Sequence, residues 1–544
     1  MATTRTGGEA LVHGLLAHGI DTVFGLPGVQ NDYFYTAAYD AGERLRLIHT
    51  RHEQGAAYMA LGYALASGRT GAYVVVPGPG FLNTTAALST AYATNAPVLS
   101  IAGQIRTDQI GRGYGMLHEI PDQLGVMRSL TKWAQRVESP KDLPCQLNEA
   151  LSQLHSDRPR PVGLEVPLNV LSGTADFDDT DPPLQSQRPA VEDAVIEEAA
   201  AILSRSRSPL ILVGGGAMEA SEEVRALSDV LQAPVVASSS GRGVLSSRHP
   251  FSHSFGPGQR LWEQADAAIA IGTRLTTPLM DWGKPDNLQL IRVDVDANEL
   301  STHKVRHLPI VADSRDALRA LLAALAHQNN DRPSRRVEML ALQDEMESIY
   351  ASVQPQFGYV QALRDALPED GICVEEITQI SYVSRVAMPV YEPRTYLTAN
   401  YQGTLGWGFP TALGAKVAAP DRPVLSVTGD GGFLFGATEL ATAVKHGINT
   451  VTVVFNDGAF GNVKRMQKER YGGRVIASEL HNPDFVDFAQ AFGALGLRAH
   501  TPDELRATLA AAFDAAAPVL IDVPVGEMPA PWSMMSAPRA TKRG

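Results

Sequence analysis

Four residue groups in this 544-residue chain have the types and spacing to do chemistry. The first, Gly429-Asp430-Gly431-Gly432, follows the apolar run Val424-Leu425-Ser426-Val427 and precedes Phe433-Leu434. In an open parallel sheet this is the carboxyl end of a strand, where ligands bind. A glycine turn there offers backbone N–H groups and a helix N-terminus to a phosphate, and Asp430 can hold a divalent cation that bridges it. Mg²⁺ needs further oxygen ligands. The second group supplies them: the next apolar run, Val451 to Phe455, ends in Asn456-Asp457-Gly458-Ala459, one βα unit after Asp430. A lone Gly-Asp-Gly is an ordinary turn, but paired with this oxygen-rich turn it points to a metal–diphosphate site. The third is Glu53, which opens an Ala-rich stretch of helical period running to about Ser67. Carboxylates are common at helix starts because of the dipole alone, so position does not by itself make Glu53 catalytic. The fourth is His118, in Met116-Leu117-His118-Glu119, which reads equally as a proton relay or a loop histidine.

The elements that must position these groups are parallel strands and their helices. Short continuously apolar runs such as Ala72 to Val76, Val98 to Ile101, Leu210 to Val213, Ala267 to Ile271 and Val451 to Phe455 alternate with Ala/Leu-rich helical stretches. Strands of this kind are buried on both faces, so the class is α/β, with Rossmann-like doubly wound parallel sheets. The length suggests three or four domains, and composition breaks at Asp176 to Pro189 and His327 to Arg336 divide the chain into 1–175, 190–327 and 337–544. An internal repeat sharpens this. Ala60-Leu61-Gly62, a strand, Gly78-Pro79-Gly80 and Phe81-Leu82 recur as Ala412-Leu413-Gly414, a strand, Gly429-Asp430-Gly431-Gly432 and Phe433-Leu434, at an offset of 351 to 352 positions. The first and third domains are therefore expected to share one design.

Composition excludes several classes. The net charge of −13, with no run of like charges, disfavours nucleic acid. The two cysteines, Cys145 and Cys373, cannot build a disulfide framework, which fits a reducing cytoplasm. Glu9, His13, His18 and Asp21 interrupt any signal-like apolar stretch, and no run approaches the ~18 apolar residues of a membrane span.

Gly-Asp-Gly followed one βα unit later by Asn-Asp resembles the diphosphate–magnesium motif of thiamine-diphosphate enzymes, specifically their acetolactate synthase and benzoylformate decarboxylase branch. Further matching stretches are Phe24-Gly25-Leu26-Pro27-Gly28, Arg51-His52-Glu53-Gln54-Gly55-Ala56, Gly403-Thr404-Leu405-Gly406 and Asn482-Pro483-Asp484-Phe485. The resemblance implies a pyrimidine-binding first domain, a central domain and a diphosphate-binding third domain. It implies Asp430, Asp457 and the Ala459 carbonyl as Mg²⁺ ligands, with Asp457 standing where most members have asparagine. Thr378, Gln379, Gly429, Gly431 and Gly432 would face the diphosphate. Leu405 would prop the bent cofactor, Gly403 would accept from its aminopyrimidine, and Pro27, Phe460 and Gly461 would line its seat. Glu53 would hydrogen-bond N1′ of the aminopyrimidine and so promote loss of the thiazolium C2 proton. Gln104 and His118 would be further catalytic groups. Val29, Gln30, Pro77, Asn462, Val463 and Met466 would shape the substrate pocket. Val29, Val76 and Pro77 replace the polar or histidine side chains of decarboxylase relatives. Lys464 and Arg465 read as a solvated helix face.

The activity implied is attack of a C2 carbanion on a 2-oxo acid or related carbonyl donor, then carboligation to an acceptor as in acetolactate synthase. Alternatives are 2-oxo acid decarboxylation, 2-hydroxyacyl-CoA cleavage or a non-catalytic scaffold. A nicotinamide-dependent oxidoreductase would need a Gly-x-Gly-x-x-Gly fingerprint that the first strand lacks. Relatives hold FAD, ADP or nothing in the central domain; since Gly214-Gly215-Gly216 is a generic turn, a nucleotide there is the lesser expectation. The family's shared sites imply a homodimer or homotetramer.

Overall fold

The computed structural model describes residues 3–177, 189–328 and 331–532. Each of the three domains is built on a six-stranded parallel sheet with helices on its faces. In the first, the strands lie side by side as Arg46–His49, Thr22–Gly25, Gly71–Val75, Val98–Gln104, Val162–Pro167 and Trp133–Arg136. In the third they lie as Tyr396–Thr398, Ile372–Glu375, Val424–Gly429, Val451–Asn456, Val519–Pro524 and Leu495–Arg498. Numbered by chain position within each domain, both orders are 2-1-3-4-6-5. The repeat seen in the sequence is a repeat of topology. The central sheet instead has the doubly wound order 3-2-1-4-5-6. Its central strand Ala267–Ile271 is buried throughout, as is Gly71–Val75 in the first domain. Continuous apolar runs are what sheets covered on both faces require.

The outer domains meet through equivalent helices, Glu53–Ser67 and Gly408–Ala418, each following the second strand of its copy. Their contact is backbone on backbone. A Cβ at Gly62 would stand 1.9 Å from the Thr411 carbonyl oxygen, and one at Gly414 would stand 1.9 Å from that of Met59. These are the glycines of the two Ala-Leu-Gly triplets, so the repeat marks the crossing point of the copies.

Two of the boundaries that composition suggested adjoin packed elements. Asp176 belongs to the strand Thr174–Phe177, which pairs antiparallel with Thr3–Thr6 and ties the domain's two ends together; the rest of that linker, up to residue 188, lies outside the described residues. The helix Arg336–Ala351, expected to open the third domain, packs on the central domain as well as on the third-domain helices Gln356–Ala366 and Ser381–Ala387. Gln343 donates to the carbonyls of His249 and Ser252 (3.1 and 3.0 Å), and Glu345 pairs with Arg260 at 2.8 Å. Its buried face, Met339, Leu342, Met346 and Tyr350, joins a core continuous through the central and third domains. No helix among the described residues is long and apolar enough to cross a membrane.

Candidate active site

The strand Val424–Gly429 runs straight into the helix Asp430–Gly436, so Gly429 is the helix cap and Asp430 its first residue. Asp430 is 2% exposed. Its Oδ2 accepts from the Gly458 N–H at 3.0 Å and from the Asn482 amide at 2.5 Å. The same Asn482 amide reaches Asn456 Oδ1 at 2.9 Å, so one side chain ties both strand ends. Asp457, one residue further on, accepts the Ala459 N–H at 3.1 Å. Burial pushes the Asp430 carboxyl up, against the hydrogen bonds it accepts; burial, followed by the Asp430 charge, pushes Asp457 up to about 6. Two neighbouring carboxylates that resist ionisation are a donor set that a divalent cation relieves. Among the described residues no group of three or more His, Cys, Asp or Glu side chains forms a metal cluster. Two carboxylates plus a backbone oxygen, completed by ligand oxygens and water, suit Mg²⁺.

The glycines beside Asp430 are required by their neighbours. A Cβ at Gly431 would lie 2.7 Å from the Phe460 ring, and one at Gly432 would lie 1.7 Å from Glu376 Oε1. Glu376, at the end of strand Ile372–Glu375, is fully enclosed and accepts the N–H groups of Gly406 and Gly408 at 2.7 and 2.9 Å. It thereby fastens the turn holding Gly403 and Leu405 to the glycine turn. Gly403 and Gly406 sit at φ 55° and 80°, the left-handed region that a side chain would strain. Leu405 is half-buried, so it is not a core residue. Thr378 has its hydroxyl turned inward, capping the N–H groups of Ile380 and Ser381 at 3.1 Å each.

In the first domain, Glu53 opens its helix after His52, whose ring nitrogen accepts the Gln54 N–H at 3.1 Å. The Glu53 carboxylate accepts from Asn83 at 2.9 Å and faces the Gly78-Pro79-Gly80 turn, with Oε1 3.5 Å from where a Gly80 Cβ would be. The third domain reaches this place through Glu439, buried, which accepts the N–H groups of Arg51 (3.2 Å) and His52 (3.0 Å). Among the described residues no hydrogen bond joins Glu53 to Asp430 or Asp457.

The expected pocket residues divide. His118, at φ 69°, contacts Gln30 through Nδ1 at 3.1 Å, and Gln30 donates to the Leu117 carbonyl at 3.0 Å. The His118 carbonyl closes on Gly78, beside the buried Pro77. These residues thus gather at one end of the first sheet, next to exposed Pro27 and Val29. Gln104 is buried, donating to Glu165 at 2.8 Å and accepting the Ile105 N–H, so its amide is engaged within the domain. Asn462, Val463 and Met466 lie on the helix Gly461–Arg470, with Val463 exposed. Arg465 departs from expectation: it is buried, 5% exposed, not on a solvated face, because Gln379 and the Met528 segment cover it. Asn482, Glu376, Glu439 and Asn83 were assigned no role from sequence; only the Glu375-Glu376 pair at a strand end hinted that a carboxylate would need burying.

In the central domain the Gly214-Gly215-Gly216 turn closes on Gly272, with the Gly216 N–H donated to the Gly272 carbonyl at 3.1 Å. Asp294 is in an ion pair with Arg158 of the first domain at 2.9 Å.

By sequence, residues 5–126 match the N-terminal TPP binding domain of thiamine pyrophosphate enzymes, 196–321 their central domain and 376–523 their C-terminal TPP binding domain. A probable 2-ketoarginine decarboxylase of Pseudomonas aeruginosa is 34% identical over 96% of this chain and 94% of its own length. A probable acetolactate synthase large subunit of Methanocaldococcus jannaschii is 33% identical, over 95% and 91%. An acetolactate synthase of Mycobacterium bovis is 30% identical, over 98% and 90%.

Proposed function

Since the chain belongs to the thiamine pyrophosphate enzymes, we propose that it is a thiamine-diphosphate and Mg²⁺ dependent enzyme that cleaves a 2-oxo acid and joins the resulting fragment to a carbonyl acceptor. The observation that carries this is the pairing of Asp430 and Asp457 across adjacent strand ends, beside a glycine turn that Glu376 locks to the Gly403–Gly406 turn. When bound, thiamine diphosphate supplies a nucleophilic carbon and an electron sink. Asp430, Asp457 and the Ala459 carbonyl hold the metal. The N–H groups of Gly431 and Gly432, with Gln379, meet the diphosphate. The Gly403 carbonyl and Leu405 orient the aminopyrimidine. The Glu53 carboxylate, which Asn83 keeps in one orientation, faces N1′ of the aminopyrimidine. Gln30, His118 and Pro77 shape the donor side of the pocket, and Asn462, Val463 and Met466 the acceptor side. FAD or ADP in the central domain remains the lesser expectation, since the Gly214-Gly215-Gly216 turn closes on Gly272.

A second reading, decarboxylation without ligation, is favoured by the relative named a 2-ketoarginine decarboxylase. It is opposed by Val29, Val76 and Pro77, which offer no side chain to protonate an intermediate. A panel of 2-oxo acids with and without aldehyde acceptors, with products identified by mass spectrometry, decides between them. Aldehydes as sole products would overturn carboligation. Glu53→Gln should lower turnover by about 10²-fold or more while cofactor affinity, measured calorimetrically, stays near wild type; full activity in that variant would sink the assignment. We further propose a homodimer or a dimer of dimers in the cytoplasm. The shared sites of the family, and the placement of Glu53 and Asp430 on different domains, support a site completed by a second copy.

A further inference from the structure

The helix Gly461–Arg470 carries four basic side chains, of which Arg465 alone is buried. Lys464 and Lys468 pair with Glu479 and Glu527 toward solvent at 2.8 and 2.5 Å. Arg465 has no carboxylate within ion-pair distance among the described residues. Its Nη2 donates to Gln379 Oε1 at 2.5 Å and to the Met528 carbonyl at 2.9 Å, while Nη1 is buried with no hydrogen-bond partner among the described residues. An enclosed guanidinium with an idle donor is costly unless an anion meets it.

The surroundings indicate where that anion comes from. A Cβ at Gly461 would lie 2.6 Å from Gln379 Nε2 and 2.3 Å from Asp457 Oδ2, so Gln379 stands between Arg465 and the second acidic side chain of the metal turn. Asp457 adds a negative charge where asparagine is usual, at a place that must also receive an anionic ligand. Arg465 is the buried cation next in line.

We propose that Arg465 is an anion-binding residue of the active site, presenting Nη1 to a phosphate or carboxylate oxygen of the bound ligand and offsetting the charge of Asp457. The guanidinium, planar and always charged, suits either oxygen pair. This rests on the thiamine-diphosphate reading of the site, and it adds a recognition element on the third domain that does not depend on the glycine turn.

The test uses full-length Arg465→Gln and Arg465→Lys, checked for folding by circular dichroism and thermal unfolding. Thiamine diphosphate affinity is measured by calorimetry at fixed Mg²⁺, and KM and kcat are measured with the best 2-oxo acid of the panel. A fall in cofactor affinity of at least about tenfold in Arg465→Gln identifies the diphosphate as the anion. Unchanged cofactor affinity, with KM raised about tenfold and kcat within about twofold, identifies the substrate carboxylate. Either result supports the proposal. A folded Arg465→Gln with both affinities within about twofold of wild type overturns it, since a merely structural arginine would lower stability without moving them. If that variant does not fold, Arg465→Lys, which keeps the charge but not the planar fork, should weaken one of the two affinities several-fold; wild-type values for both would overturn the assignment equally. Wild-type protein that releases no heat with thiamine diphosphate would defeat the underlying reading as well, whereas normal wild-type binding unaffected by the variants defeats only the role of Arg465.

Discussion

Glu376 illustrates what a single side chain contributes at a distance from the chemistry. Its carboxyl, enclosed and accepting two N–H groups, is pushed up to about 7 by burial. The sign of the consequence follows from linkage: the native state holds this proton more tightly than the unfolded chain does. The stabilisation is therefore complete below the ordinary value near 4.5 and is lost as pH rises through about 7. The ligand-free protein should lose on the order of 3 kcal/mol over that window from this residue. Urea unfolding at a series of pH values measures it, and Glu376→Gln should flatten that part of the profile. A wild-type profile in the variant would show that the proton is held elsewhere. Asp457→Asn addresses a second carboxylate that burial, with the Asp430 charge, pushes up. It should relieve the Asp430 repulsion and weaken Mg²⁺ binding only modestly, by less than about tenfold in calorimetry, because an amide oxygen still reaches the metal.

At the scale of elements, helices Glu53–Ser67 and Gly408–Ala418 are set by two glycines. Gly62→Ala should destabilise by about 3 kcal/mol, because the added methyl meets a backbone carbonyl that no rotamer change can move; a change in the unfolding midpoint under 2 °C would contradict the close approach. The elements themselves were largely legible. Apolar runs gave the parallel strands, the Ala-rich stretch gave a helix that begins at Glu53 and ends at Ser67, and the repeated triplets marked equivalent helices. Where reading failed, the cause was tertiary. The helix Gly461–Arg470 is polar almost throughout, so nothing local distinguishes Arg465 from Lys464; its burial comes from chain 86 residues upstream and 63 downstream. Glu376 and Glu439 are likewise satisfied by N–H groups 30 and 388 residues away. Hydrophobic period does not encode such partners. The helix Arg336–Ala351 was read as part of the third domain alone, because a composition break marks a loop, not every surface on which the next helix packs.

For the whole molecule, one matched pair of the two copies is exposed and apolar, and the third domain adds two aromatic rings of its own. Leu82 and its repeat counterpart Leu434 are 40% and 38% exposed, with Phe435 and Tyr401 at 59% and 61%. Apolar side chains at matched positions suit an isologous contact between two chains. If each site takes Glu53 from one chain and Asp430 from another, mixing inactive Glu53→Gln and Asp430→Ala proteins under exchange should restore about a quarter of wild-type activity, since half the dimers then hold one intact site of two. Activity no higher than the sum of the separate variants would place the whole site within one chain. The glycine crossing carries a last consequence, and it is a genetic one. At Gly62 and Gly414 the obstructing atom belongs to a main chain, so no side chain opposite can be trimmed to make room. A suppressor screen begun from Gly62→Ala should therefore return revertants or distant stabilising changes, and no compensating allele at residues 411 or 414.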